Sequence, residues 1–240
     1  MPYVLSPLIH AGLPALWREG APYQAETIYA SGPDEPPIWY SAHTLRPHSL
    51  PHLDAPAHTQ PGGRTVEAYF EEGPRRSLYG PALVVKLTSP EWQPVPGARD
   101  AFHWEVGVEA LQPAVHRLTG EEFPPDKLLL TLADLPRDAQ RQHDPRFALT
   151  LSREAAGWLL SNPNFNAYGT SYKSTDFQPG RRERPIHQAL FTQAAIFECL
   201  DLAAVPEGRY FLVAFPLPLA GASESPVCPV LFEREELLGW

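Results

Sequence analysis

The 240-residue chain is long enough to bury a large core in one domain, and its 43% hydrophobic and 20% charged content is that of a globular protein. Its formal net charge of −9 disfavours nucleic acid and anionic membranes as main partners, because both require a basic surface that displaces counterions. Twenty-nine prolines exclude an all-helical bundle, which leaves a loop-rich fold containing strands and a small molecule as the expected partner.

In chain order, the opening MPYVLSPLIHAGLPALW lacks both the basic flank and the continuous apolar stretch of an export signal. No run of 18 apolar residues follows, so a cytoplasmic protein is expected. Residues 31 to 37 (SGPDEPP) read as a loop, and so do residues 89 to 100 (SPEWQPVPGARD). Strands are predicted at Pro81 to Leu87, Lys127 to Leu132, Ala194 to Cys199, Tyr210 to Phe215 and Val227 to Phe232. The main helix is predicted from Ser152 to Ser161, with Ser152 capping its first turn and Ala156, Leu159 and Leu160 on one side. A second short helix starts near Ile186. Cys199 and Cys228 lack the spacing of a zinc ribbon or redox pair, so no disulfide framework is expected. Strands interspersed with a few helices indicate an α/β or α+β fold in a single domain over residues 1 to 240.

The stretch HSLPHLDAPAH, residues 48 to 58, carries the chemistry. Prolines at 47, 51 and 56 exclude an α-helix there, so His48 and His52 are not ligands one helical turn apart. In a strand, the even offsets would turn His48, His52, Asp54 and His58 to one face. A straight strand, however, would hold the α-carbons of His48 and His52 roughly 13 Å apart, too far to share a metal at bonds of ~2 Å. A bend is required, and Pro51 is placed to supply it. Three histidines and an aspartate in eleven residues point to a metal site.

Read as HxxxHxDxPxH, these residues resemble the HxGTHxDxPxH signature of the metal-dependent cyclase and kynurenine formamidase family, which also includes isatin hydrolases. RPIHQALFTQAAIFECLDL is similar to the family's second ligand segment, LSPLIHAGLPALW to its opening segment, and PLPLAGASESPVCPVLF to its closing Gly-x-x-x-Ser-Pro-Val segment. Leu50-Pro51 stands in place of the family's Gly-Thr, and Cys228 in place of an arginine found in many relatives.

The resemblance implies a swivelling β/β/α domain: a mixed central sheet flanked by a few helices. It implies one or two divalent metals, zinc or manganese, held by His48, His52, Asp54, His187 and Glu198, with Asp54 as the bridge if there are two. Glu198 lies in an apolar run where an unpaired carboxylate is costly to bury, which agrees with a metal partner. His58 is the implied general acid/base, because an imidazole exchanges protons near neutral pH. Trp17, ahead of Tyr23, Trp39 and Tyr40, is the implied pocket wall for an aromatic or cyclic substrate. Asp176 is expected to hold a loop together and to stand outside the site. His10, His43, His103, His116 and His143 have no partner at ligand spacing and are expected to be structural or exposed. The implied activity is metal-dependent hydrolysis of a carbon–nitrogen bond, in N-formylkynurenine or a small cyclic amide, by a homodimer or homotetramer. Lactone or cyclic-ester hydrolysis or cyclisation at the same site, or metal binding without catalysis, are the alternatives.

Overall fold

The computed structural model describes residues 1–71, 73–137, 143–177 and 183–238. In chain order the strands are β1 (Tyr3–Val4), β2 (Tyr23–Ala30), β3 (Trp39–Leu45), β4 (His52–Asp54), β5 (Tyr79–Leu87), β6 (Gln93–Pro94), β7 (Phe102–Val106), β8 (Lys127–Leu132), β9 (Phe147–Leu151), β10 (Ala167–Thr170), β11 (Ala195–Glu198), β12 (Gly208–Val213), β13 (Glu224–Pro226) and β14 (Val230–Phe232). The helices are α1 (Val108–Thr119), α2 (Arg153–Leu160), α3 (Pro185–Leu190) and α4 (Arg234–Leu238).

The fold is mixed α/β, as expected. Nine strands form the main sheet in the order β1-β14-β12-β5-β8-β10-β11-β4-β13. Its centre, β5-β8-β10-β11, is parallel, while β4 and β13 add antiparallel at one side. Parallel neighbours need crossovers, and α1, α2 and α3 supply buried residues to one face of the sheet together with Leu83, Val85, Leu128 and Leu130. Alternate residues Ala82, Val84 and Leu129 face the other way and pack with Val66, Tyr69, Leu78 and Phe197. Both faces are thus covered, which explains why β8 reads as the continuous apolar run KLLLTL rather than an alternating one.

The predicted strands are present with ends shifted by a few residues, except that 227–232 contributes only Val230–Phe232. Ser152 caps α2 as expected, its hydroxyl accepting the Ala155 N–H at 3.0 Å. Several elements are new, among them helix α1 and strands β2 and β3. Helix α1 contains Pro113, which masked it in the sequence; burial of Leu111, Ala114 and Val115 outweighs the missing N–H, and Gly120 ends it at φ +73°. Strands β2 and β3 pair in a separate two-stranded ribbon around the predicted 31–37 loop, with Trp39 and Tyr40 exposed on it.

His143 is structural, as expected. It is buried against Tyr172 with ring centres 5.3 Å apart, and burial, with the Lys173 charge adding, pushes its pKa down to about 3. The folded protein refuses a proton that the unfolded chain takes below its ordinary pKa of about 6.5, so stability is lost as pH falls from there towards the folded value. Between pH 7 and 5 the wild type is expected to lose about 2 kcal/mol more stability than His143→Asn, measured by urea unfolding. An equal loss in both proteins would show that His143 is not the titrating group.

Candidate metal centre

Strand β4 is three residues long, bounded by Pro51 and Pro56, and it carries the centre of the site. Its alternation turns His52 and Asp54 to one face and Leu53 to the core behind. The neighbouring registers finish the arrangement. On β11, Glu198 lies opposite His52, and on β13, Glu224 lies opposite Asp54, so all four side chains share one face. Helix α3 brings His187 to that face.

The expected bent strand is corrected by the structure. His48 and His58 sit in 3-10 turns, Pro47–Ser49 and Pro56–His58, on either side of β4. A proline opens each turn, where its missing N–H costs nothing. Leu50, in place of the family's glycine, is extended at φ −129° and fully buried, while the Pro51 carbonyl accepts the Val227 N–H at 3.0 Å. Leu50-Pro51 therefore preserves a regular path into β4. Cys228 is exposed.

The donor atoms converge. His52 Nε2 is 3.5 Å from Asp54 Oδ1 and 3.6 Å from Glu198 Oε2, and His187 Nε2 is 3.5 Å from Asp54 Oδ2 and 3.3 Å from Glu198 Oε1. His48 Nδ1 approaches His52 Nε2 at 3.1 Å and Asp54 Oδ1 at 3.9 Å. Two donors bound to one cation by bonds of ~2 Å lie about 3 Å apart, so this spacing is that of a coordination shell. Both Asp54 oxygens and His187 Nε2 are buried without a hydrogen-bond partner. Buried polar atoms are seldom left unpaired, and a divalent cation satisfies these three together. The donor set fits such an ion.

The outward nitrogens are held by acceptors. His52 Nδ1 faces the Leu50 carbonyl at 2.8 Å, and His187 Nδ1 faces Asp176 Oδ2 at 2.6 Å. Asp176 also accepts the Ile186 and His187 N–H groups, both at 3.0 Å. It was expected only to brace a loop, but it directly orients one imidazole of the cluster. Its Ser-x-Asp signal lies eleven residues from His187, and only the fold brings the two together. The Thr175 N–H donates to Glu198 Oε1. Asp176→Ala is expected to weaken metal affinity about 10- to 100-fold, since the imidazole loses its orienting acceptor; competition with a fluorescent chelator measures it.

Charge follows the same geometry. Burial lowers the pKa of His48, with His52 adding. For His52, burial works against the proton, but Asp54 holds the pKa well above the imidazole range. His187 is likewise raised against burial, chiefly by its bond to Asp176. The Asp54 carboxyl is held well below its usual range against burial, mainly by the charge on His52. The carboxylates thus arrange the site for positive charge.

Trp17 stands beside His48. Its indole N–H donates to the His48 carbonyl at 3.0 Å, and the Lys173 ammonium lies 4.1 Å from its ring centre. Cys199 reaches the same carbonyl at 3.7 Å. His58 is placed with His48, ring centres 4.6 Å apart, at the open side of the cluster. Glu224, which the sequence reading missed, lies 3.8 Å from His48 Nε2 and 4.0 Å from His58 Nδ1. Among the described residues, two separate triads lie close enough to share an ion, His48-Asp54-His58 and His52-Asp54-Glu198, and both contain Asp54.

The sequence and the fold have relatives. The chain is 28% identical over 231 residues to a kynurenine formamidase of Maricaulis maris (strain MCS10), covering 95% of this chain and 96% of that protein. It is 27% identical over 232 residues to a kynurenine formamidase of Paracidovorax citrulli (strain AAC00-1), covering 95% and 94%. Isatin hydrolase A from Labrenzia aggregata, solved bound to benzyl benzoate, superposes with a TM-score of 0.70 at 21% identity over 97% of this chain and 93% of that one, which establishes a common fold. The Cyclase family model matches residues 7–177, a span that holds β4, both histidine turns and the Asp176 loop, and the chain belongs to that family.

Proposed function

We propose that the protein is a metal-dependent hydrolase of a carbon–nitrogen bond, acting through one domain on an aryl formamide of the N-formylkynurenine kind or a small cyclic amide. The observation that carries this reading is the set of orphaned, buried Asp54 and His187 atoms facing the other donors. The two kynurenine formamidases that align with nearly the whole chain support the reaction class.

In this reading His48, His52, Asp54, His187 and Glu198 would hold one or two divalent ions. Three imidazoles and two carboxylates suit zinc or manganese. A bound ion would supply Lewis acidity for the carbonyl and for water near neutral pH. His58 accepts a proton from the attacking water and returns it to the nitrogen as the carbon–nitrogen bond breaks. Asp176 keeps His187 in one ring orientation, and Trp17 fixes the His48 turn while its exposed edge borders the substrate.

The reading includes a cytoplasmic location, supported by two free cysteines, and a homodimer or homotetramer, supported by the exposed aromatic residues of the β2-β3 ribbon. No helix among the described residues is long and apolar enough to cross a membrane.

The deciding experiment measures metal content and turnover of a panel of formanilides, cyclic amides and lactones, with His52→Ala and Glu198→Ala alongside. Bound transition metal in the wild type, amide turnover, and loss of both in the variants are expected. Absence of metal after reconstitution would overturn the proposal; turnover confined to lactones would move the specificity to the ester bond.

A further inference from the structure

The inner and outer parts of the cluster differ in exposure. Side chains of His52, Asp54, His187 and Glu198 are almost completely buried, whereas those of His48, Glu224 and His58 are 24%, 25% and 27% exposed. These last three form the partly exposed rim of the cluster. Two are imidazoles, and Glu224 is the carboxylate between them.

Its place is dictated by register. Glu224 opens β13 directly opposite Asp54 and so hangs over the same face. The next residue, Ser225, turns away, its hydroxyl donating to the Leu217 carbonyl at 2.9 Å. The Ser223 hydroxyl donates to Glu224 Oε2 and fixes the carboxylate at the rim. The distances to His48 Nε2 and His58 Nδ1, 3.8 and 4.0 Å, exceed hydrogen-bond length. A carboxylate has about four acceptor positions, so Glu224 keeps capacity for a donor brought by a ligand.

We propose that Glu224 sets the charge preference of the site, favouring neutral or cationic substrates with an N–H or ammonium donor over substrates that bring a carboxylate to the same rim. This rests on the hydrolase reading for the reaction, but the preference is a binding property and is measurable without turnover. A like charge a few ångströms from a partly exposed carboxylate disfavours binding by about tenfold, and an ammonium there gains by a similar factor.

The test uses metal-loaded wild type, Glu224→Gln, Glu224→Ser and Glu224→Asp. Calorimetry gives the affinities of benzoate and benzylammonium, and turnover is followed on formanilides bearing a carboxylate or an aminomethyl group. Glu224→Gln and Glu224→Ser are expected to raise the ratio of benzoate to benzylammonium affinity about tenfold, while Glu224→Asp, which keeps the charge, stays within about twofold of wild type. A ratio unchanged in both neutral variants overturns the proposal even if formanilides are turned over. A shifted ratio without turnover of any amide supports the charge preference and overturns the hydrolase reading, so the two fail separately. Two neutral variants of different shape keep the test open if one of them does not fold.

Discussion

Asp54→Ala is expected to remove metal binding and to reduce turnover on the order of 10³-fold or more, since it deletes the donor that faces both His52 and His187. The loss has a thermodynamic counterpart. An ion that binds only the folded state stabilises it by about 4 kcal/mol at 1,000 times its dissociation constant. Thermal unfolding with and without added zinc or manganese should therefore show a large upward shift for wild type and none for Asp54→Ala. A variant that still gained stability from the ion would place the metal elsewhere.

His58→Ala is the second large effect, and it separates chemistry from binding. His58 stands at the open side of the cluster, on a turn held by its N–H bond to the Ala55 carbonyl at 2.8 Å. If it transfers protons, its removal lowers kcat by about 10²- to 10⁴-fold while metal content stays at the wild-type level. Metal analysis and single-turnover kinetics on the same preparation test this. Loss of one equivalent of metal in His58→Ala would instead make His58 a ligand, in line with the His48-Asp54-His58 triad.

Much of the site was legible because its donors lie close together along the chain. His48, His52, Asp54 and His58 fall within eleven residues, and the prolines among them ruled out an α-helix. What the spacing left open was the path: the even offsets suggested one strand face bent at Pro51, whereas the chain uses two proline-initiated turns around three residues of β4. Helix α1 was hidden for a related reason, because Pro113 signals a break locally and only burial against the sheet outweighs it.

Residue types and local periodicity thus determined the donor chemistry, the buried strands and the capped helix α2. Tertiary structure decided which distant residues join the donors. Asp176 reaches His187 through the packing of its loop on α3, and Glu224 faces the rim because β13 pairs with β4 in one register. A shift of that register by one residue would turn Glu224 away and bring a neighbour to the site face, and nothing local to its own segment specifies that pairing. The physical reason is that strand pairing and loop docking are settled by the burial of both sheet faces together, a property of the assembled core rather than of any single stretch of sequence.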